Sequence, residues 1–127
     1  MIEALFNQPN YLAAKKTLDA VAIRQEAIAG NLANLETPGY KRVDVAPSFQ
    51  MELQRACSEG DSQTLASLKP SLTVDTTAIS KGLDGNTVSL EQEMAQLDQN
   101  TVLHSVETQM VSTMLQRLKL AISGKNS

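Results

Sequence analysis

The sequence predicts an all-α protein: long N- and C-terminal helices paired as an antiparallel coiled-coil hairpin. A partly ordered middle arm joins them, with room for a short helix or β segment. Three observations carry this. Apolar residues recur at heptad spacing through both ends of the chain. Proline, glycine, serine and threonine gather in the middle, where no such rows run. Aromatic residues are only 3% of the chain and tryptophan is absent. The core must then come from Leu, Ile, Val, Met and Ala, which suits helix-on-helix seams.

The first helix is predicted from Pro9 to Glu36. Tyr11, Leu18, Gln25 and Leu32 form one heptad row, and Ala14, Val21, Ile28 and Leu35 form the other. Gln25 is the polar exception. The helix stops at Thr37-Pro38-Gly39-Tyr40. A residue before proline is pushed out of the helical region, and Pro-Gly fits the centre of a type II turn. Residues 1–42 thus form a helix plus turn. Gly30 lies inside the helix at a cost of ~1 kcal/mol relative to Ala. Ala27, Ala29, Ala33 and two asparagines surround it. Two readings stand: a helix weakening near its end, or a close approach by another backbone.

Residues 43–88 form the middle arm. Ser48 to Cys57 has a weak helical pattern carried by Phe49, Met51, Leu53 and Ala56. Leu72, Val74 and Thr76 alternate, as a short strand does. Asp84-Gly85-Asn86 reads as a turn.

Residues 89–127 contain the second helix. Ser89 and Gln92 form a capping box, and Gly124 is a stop signal. One row is Leu90, Leu97, His104, Val111 and Leu118; the other is Met94, Thr101, Thr108, Leu115 and Ile122. The predicted intrachain seam pairs Leu18, Val21, Ile28 and Leu32 with Leu97, Val111, Leu115 and Leu118. Leu103, Met110 and Met114 lie on another side, which a two-helix hairpin would leave bare. That argues for further helices from other chains.

Chemistry is scarce. The length bounds the chain at one domain. His104 is the single histidine and Cys57 the single cysteine, so no ligand set of the recognised spacings exists and no cofactor or metal is expected. Neither is a catalytic residue. The net charge of −3 argues against a nucleic-acid partner. No run approaches the ~20 apolar residues of a membrane span. Met1 to Phe6 does not read as a cleavable secretory signal.

Several separated pieces resemble one family. Gln25-Glu26-Ala27-Ile28-Ala29-Gly30-Asn31-Leu32-Ala33-Asn34, then Thr37-Pro38-Gly39-Tyr40-Lys41, resembles the N-terminal signature of bacterial flagellar rod, hook and related axial proteins. Phe49-Gln50-Met51-Glu52-Leu53 is similar to the segment that follows in rod proteins. Asp84-Gly85-Asn86-Thr87-Val88-Ser89-Leu90-Glu91-Gln92-Glu93-Met94 resembles the entry into the C-terminal helix of the proximal rod type. Residues 58 to 83 show no piece that resembles the family pattern to the eye.

The resemblance implies a non-enzymatic subunit of the flagellar basal-body rod, which crosses the periplasm as a helical drive shaft. It implies export, unfolded and without a cleavable signal, through the flagellar type III apparatus. Implied partners are other rod proteins, copies of the chain itself and the adaptor at the membrane ring. Subunit contacts are expected at Gly30, Asn31, Asn34, Thr37, Pro38, Gly39 and Tyr40, and at Leu103, Met110 and Met114. The rival reading is a cytosolic two-helix adaptor or export chaperone.

Overall fold

The computed structural model describes residues 8–124. Helix α1 spans Pro9–Ala33, strand β1 Val43–Val45, α2 Pro47–Ser58, α3 Ser62–Ser67, β2 Leu72–Val74 and α4 Leu90–Ser123. The fold class is the predicted one: two long helices packed together, with a small two-stranded sheet in the middle. Lys125, and Met1 to Phe6, lie outside the described residues.

Pro9 opens α1 at its first turn, where its missing N–H costs nothing. The helix ends three residues short of Glu36. Asn34 stops it by folding its Nδ2 back onto the Gly30 carbonyl at 2.8 Å. A helical asparagine side chain that bonds the backbone competes with the next turn. The chain then makes the expected tight turn. Tyr40 N–H donates to the Thr37 carbonyl at 3.3 Å, and Gly39 has φ +75°. Beside that turn, Ser89 caps the start of α4 by accepting from Gln92 N–H at 3.4 Å. Gly124, with φ +64°, ends that helix in the left-handed region.

The long helices run antiparallel. Asn31 meets Glu93, Asn100 meets Val21 and Gln25, and Tyr11 shares a pocket with Leu118. As one residue number rises, its partner's falls.

The middle arm packs on a second face of α1. Leu12 joins Val45, Phe49, Leu53, Ala56 and Leu65 in one buried cluster, with Ala13, Ala20 and Ile23 beside it. The predicted segment around Phe49 is α2, and Leu72 and Val74 lie on β2. The strands pair antiparallel, with Asp44 opposite Thr73. Helix α3 carries no heptad pattern; Asp61 caps it by accepting from Thr64 N–H at 3.1 Å. Helix α1 is therefore the central rod of the molecule, with α4 on one side and the arm on the other.

Rotation of α4 differs from the expected seam. Glu93 and Asn100 are buried, with Leu97, Leu103, Glu107, Val111, Met114 and Leu118 half-buried near them. The second predicted row faces out: Met94, Thr101, Thr108 and Ile122 are exposed, and Leu115 is 41% exposed. Leu115 is thus outside the seam. The reason is that α4 has apolar residues on nearly every side, so polar partners on α1 decide which side turns in. On α1 the predicted seam residues Val21 and Ile28 are buried, and Leu18 and Leu32 half-buried.

Candidate functional site

The densest constellation lies where the two turns meet, at the closed end of the hairpin. Thr37-Pro38-Gly39-Tyr40 docks against Asp84-Gly85-Asn86-Thr87. Gly39 N–H donates to the Asp84 carbonyl at 2.8 Å, and Thr87 N–H to the Tyr40 carbonyl at 3.0 Å. A Cβ on Gly85 would stand 3.7 Å from Gly39 Cα. The Asn86 amide nitrogen sits within 3.1 Å of three carbonyl oxygens, those of Asn34, Leu35 and Thr37. They belong to the turn that follows α1, and those of Asn34 and Thr37 also accept from the N–H groups of Thr37 and Tyr40. One side chain from the second turn thus ties down the first.

Behind the turns lies a buried ion cluster. Arg42 is 2% exposed and Glu93 0%. Arg42 Nε donates to Glu93 Oε1 at 2.7 Å, and Nη1 to Asp75 Oδ2 at 2.6 Å. Asp44 Oδ2 lies 3.4 Å from both Nη atoms, and Asp44 Oδ1 accepts from Arg24 Nε at 3.0 Å. Two guanidinium groups thus face three carboxylates contributed by β1, α4 and the residue after β2. Desolvation works to lower the Arg42 pKa; hydrogen bonds to Glu93 and Asp75 outweigh it and raise it. Asp75 is held below the usual carboxylate range, first by its bond from Thr77 and then by Arg42.

Asn31 couples this cluster to the sheet. Its Nδ2 donates to the Val43 carbonyl at 2.9 Å and to Glu93 Oε2 at 3.2 Å. Its Oδ1 accepts from Val43 N–H at 2.9 Å and from the Tyr40 hydroxyl at 3.2 Å. All four hydrogen-bonding valences of the carboxamide are used. It fills the outer edge of β1 much as a neighbouring strand would.

The expected subunit-contact residues therefore divide. Asn31 is 0% exposed and committed within the chain; a side chain with every valence satisfied inside has none to offer a neighbour. Tyr40 and Asn34 are half-buried in the same junction, while Thr37, Pro38 and Gly39 form an exposed tip. Among the described residues no backbone of another element crowds Gly30: a Cβ there would lie 3.9 Å from the Tyr40 hydroxyl. On α4, Met110 is exposed, whereas Leu103 and Met114 are turned half inward. Sequence reasoning missed Arg42, Asp44, Asp75, Glu93 and Asn86. One signal was available: Glu93, Asn100 and Glu107 repeat at heptad spacing on an otherwise apolar helix.

A helical hairpin clamped by a buried ion cluster, with apolar rows left open along its longest helix, is a structural assembly subunit. Comparison with known proteins gives that class a family. Residues 12–41 match the family described as flagella basal body rod protein; the match ends one residue before Arg42. Over 113 residues the chain is 34% identical to the flagellar basal body rod protein FlgB of Borrelia hermsii, covering 75% of this chain and 82% of that one. It is 27% identical over 128 residues to FlgB of Salmonella typhimurium, covering 88% and 91%. With FlgB of Cereibacter sphaeroides it shares 30% over 112 residues, covering 80% and 84%. The chain belongs to the FlgB family of flagellar basal body rod proteins. It is a structural subunit of that rod, and a cytosolic adaptor or export chaperone is not favoured.

Proposed function

We propose that this chain polymerises helically with copies of itself to form the proximal part of the rod across the periplasm. The observation that carries this reading is the bare surface of α4. Val102 is 63% exposed and Leu120 60%, and Leu90, Val106 and Ile122 are near half. The central helix α1 is covered on both sides, whereas the longest helix is covered on one. Exposed apolar rows over such a length mark a surface that meets other chains. Non-closing contacts between identical subunits give helical filaments.

In this reading the role is purely mechanical, without catalysis or cofactor. Other rod proteins and the adaptor at the membrane ring are its neighbours. The chain passes unfolded through the flagellar type III apparatus without a cleavable signal, and the ion cluster forms once the chain leaves the channel. The exposed Thr37-Pro38-Gly39 tip, with Met110, contributes subunit contacts; Gly30, Asn31, Asn34 and Tyr40 act indirectly, by fixing the tip. Fractionation tests this. The chain should co-purify with detergent-washed basal bodies, and its deletion should abolish swimming. Recovery only in the soluble cell fraction would overturn the reading.

A further inference from the structure

Glu107 follows Asn100 by one heptad on the side of α4 that faces α1. Glu93 and Asn100 both find partners on the rest of the chain; Glu107 makes no hydrogen bond or ion pair among the described residues. It opens into a groove of about 410 Å³ between Ala13, Ala14 and Thr17 of α1, Cys57 of α2, and Met110 and Met114 of α4. Desolvation raises its pKa. A half-buried carboxylate with no counter-charge is an unfavourable arrangement in an isolated chain. What fits the groove is a cation on an apolar carrier.

The same helix presents such a carrier. Lys119 lies on an open apolar strip with Leu115, Leu118 and Ile122, and it makes no ion pair among the described residues. It cannot serve its own Glu107, because twelve residues of helix separate the two by ~18 Å. We propose that Lys119 of a second copy docks into this groove and pairs with Glu107, its flanking Leu115 and Ile122 covering Met110 and Met114. The inference rests on the rod reading and names the contact between copies. Every copy carries both halves on different parts of its surface. Repeated in one sense from copy to copy, the contact is head-to-tail, does not close on itself, and propagates along a line. It also gives a use to the strip of Leu115, Leu118 and Ile122 that the hairpin leaves bare.

Two measurements test it in a flagellated host whose only copy of this protein is the variant. In a Cys57→Ser background, a chain with Glu107→Cys and Lys119→Cys should give a ladder of disulfide-linked multimers when isolated basal bodies are oxidised. Each single-cysteine chain should stay monomeric on the gel. No intrachain bond can form across ~18 Å of helix. Separately, Glu107→Lys or Lys119→Glu should each reduce swimming at least tenfold, and the Glu107→Lys/Lys119→Glu swap should recover it. The pairing is overturned if the double-cysteine chain is present in basal bodies yet runs as monomer, and the swap swims no better than either single variant. The rod reading itself fails, and the pairing with it, if the unmodified chain is absent from purified basal bodies.

Discussion

Arg42 and Glu93 lie 51 residues apart in sequence and meet at 2.7 Å, almost wholly shielded from solvent. The pair joins the exit of the first turn to the first turn of α4. It also sets the depth at which α4 enters the hairpin, because Glu93 is simultaneously held by Asn31. Both ends of the middle arm are thereby anchored beside each other. The arm can fold back on α1 without disturbing the long helix pair.

Removing one partner from this cluster should cost more than removing an ordinary contact, since the remaining charges stay buried. Arg42→Met is expected to destabilise the chain by about 3–5 kcal/mol, much of the ~5–15 kcal/mol typical of a domain. Arg42→Lys should be only partly tolerated, because one ammonium cannot bond Glu93, Asp75 and Asp44 with the geometry of a guanidinium. Urea unfolding followed by far-UV circular dichroism checks both. A loss under ~1 kcal/mol for Arg42→Met would show that the cluster is decorative.

Asn86 has a different role, and its loss should be local first. Asn86→Ala removes the donors that tie down the turn after α1 and should cost about 1–3 kcal/mol. Asn86→Asp should be worse, since a carboxylate would face the carbonyl oxygens of Asn34, Leu35 and Thr37. Amide exchange offers the discriminating measurement. Gly39, whose N–H bonds Asp84, should lose protection before the centre of α1 does.

Two glycines of the N-terminal signature should respond in opposite directions. Gly39 has φ +75°, a conformation that costs other residues roughly 1–2 kcal/mol. Gly39→Ala should lower the melting temperature although nothing crowds its Cβ. Gly30 is helical, with its nearest neighbour at ordinary contact distance. Gly30→Ala should raise stability by up to ~1 kcal/mol through helix propensity. Thermal melts of the two variants settle the contrast.

How far the sequence reveals this structure depends on the range of the interactions. Features set by near neighbours were legible: the Pro-Gly turn, the Ser89 cap, the Gly124 stop and the two long helices. The rotation of α4 was not, because apolar residues surround it and several heptad rows fit equally well. Asn31, Arg42 and the Val21 carbonyl break that tie, and each lies more than fifty residues away in sequence. Arg42 was hidden for another reason: a Lys-Arg pair after a turn reads as surface, and only the fold reveals three carboxylates converging on it. Asn31 and Asn86 belonged to recognised stretches, but their mutual placement required the two turns to dock.

Two carboxylates should give the isolated chain opposite responses to pH. Asp75 titrates below its ordinary value of 3.8, so near that pH the unfolded chain binds protons more readily than the folded one. Its stabilisation is present above about 4 and lost as pH falls through the lowered folded value. Asp75→Asn should therefore be less stable than wild type at neutral pH, with the two curves converging in acid. Glu107 is raised above its ordinary 4.5 by burial. Here the folded chain binds the proton more tightly, so stability declines as pH rises from about 4.5 through the raised value. Glu107→Gln should stabilise the unassembled chain at neutral pH, and the advantage should vanish below about 4.5. A carboxylate that weakens the free chain yet supports the rod would mark Glu107 as a group whose partner arrives from another molecule.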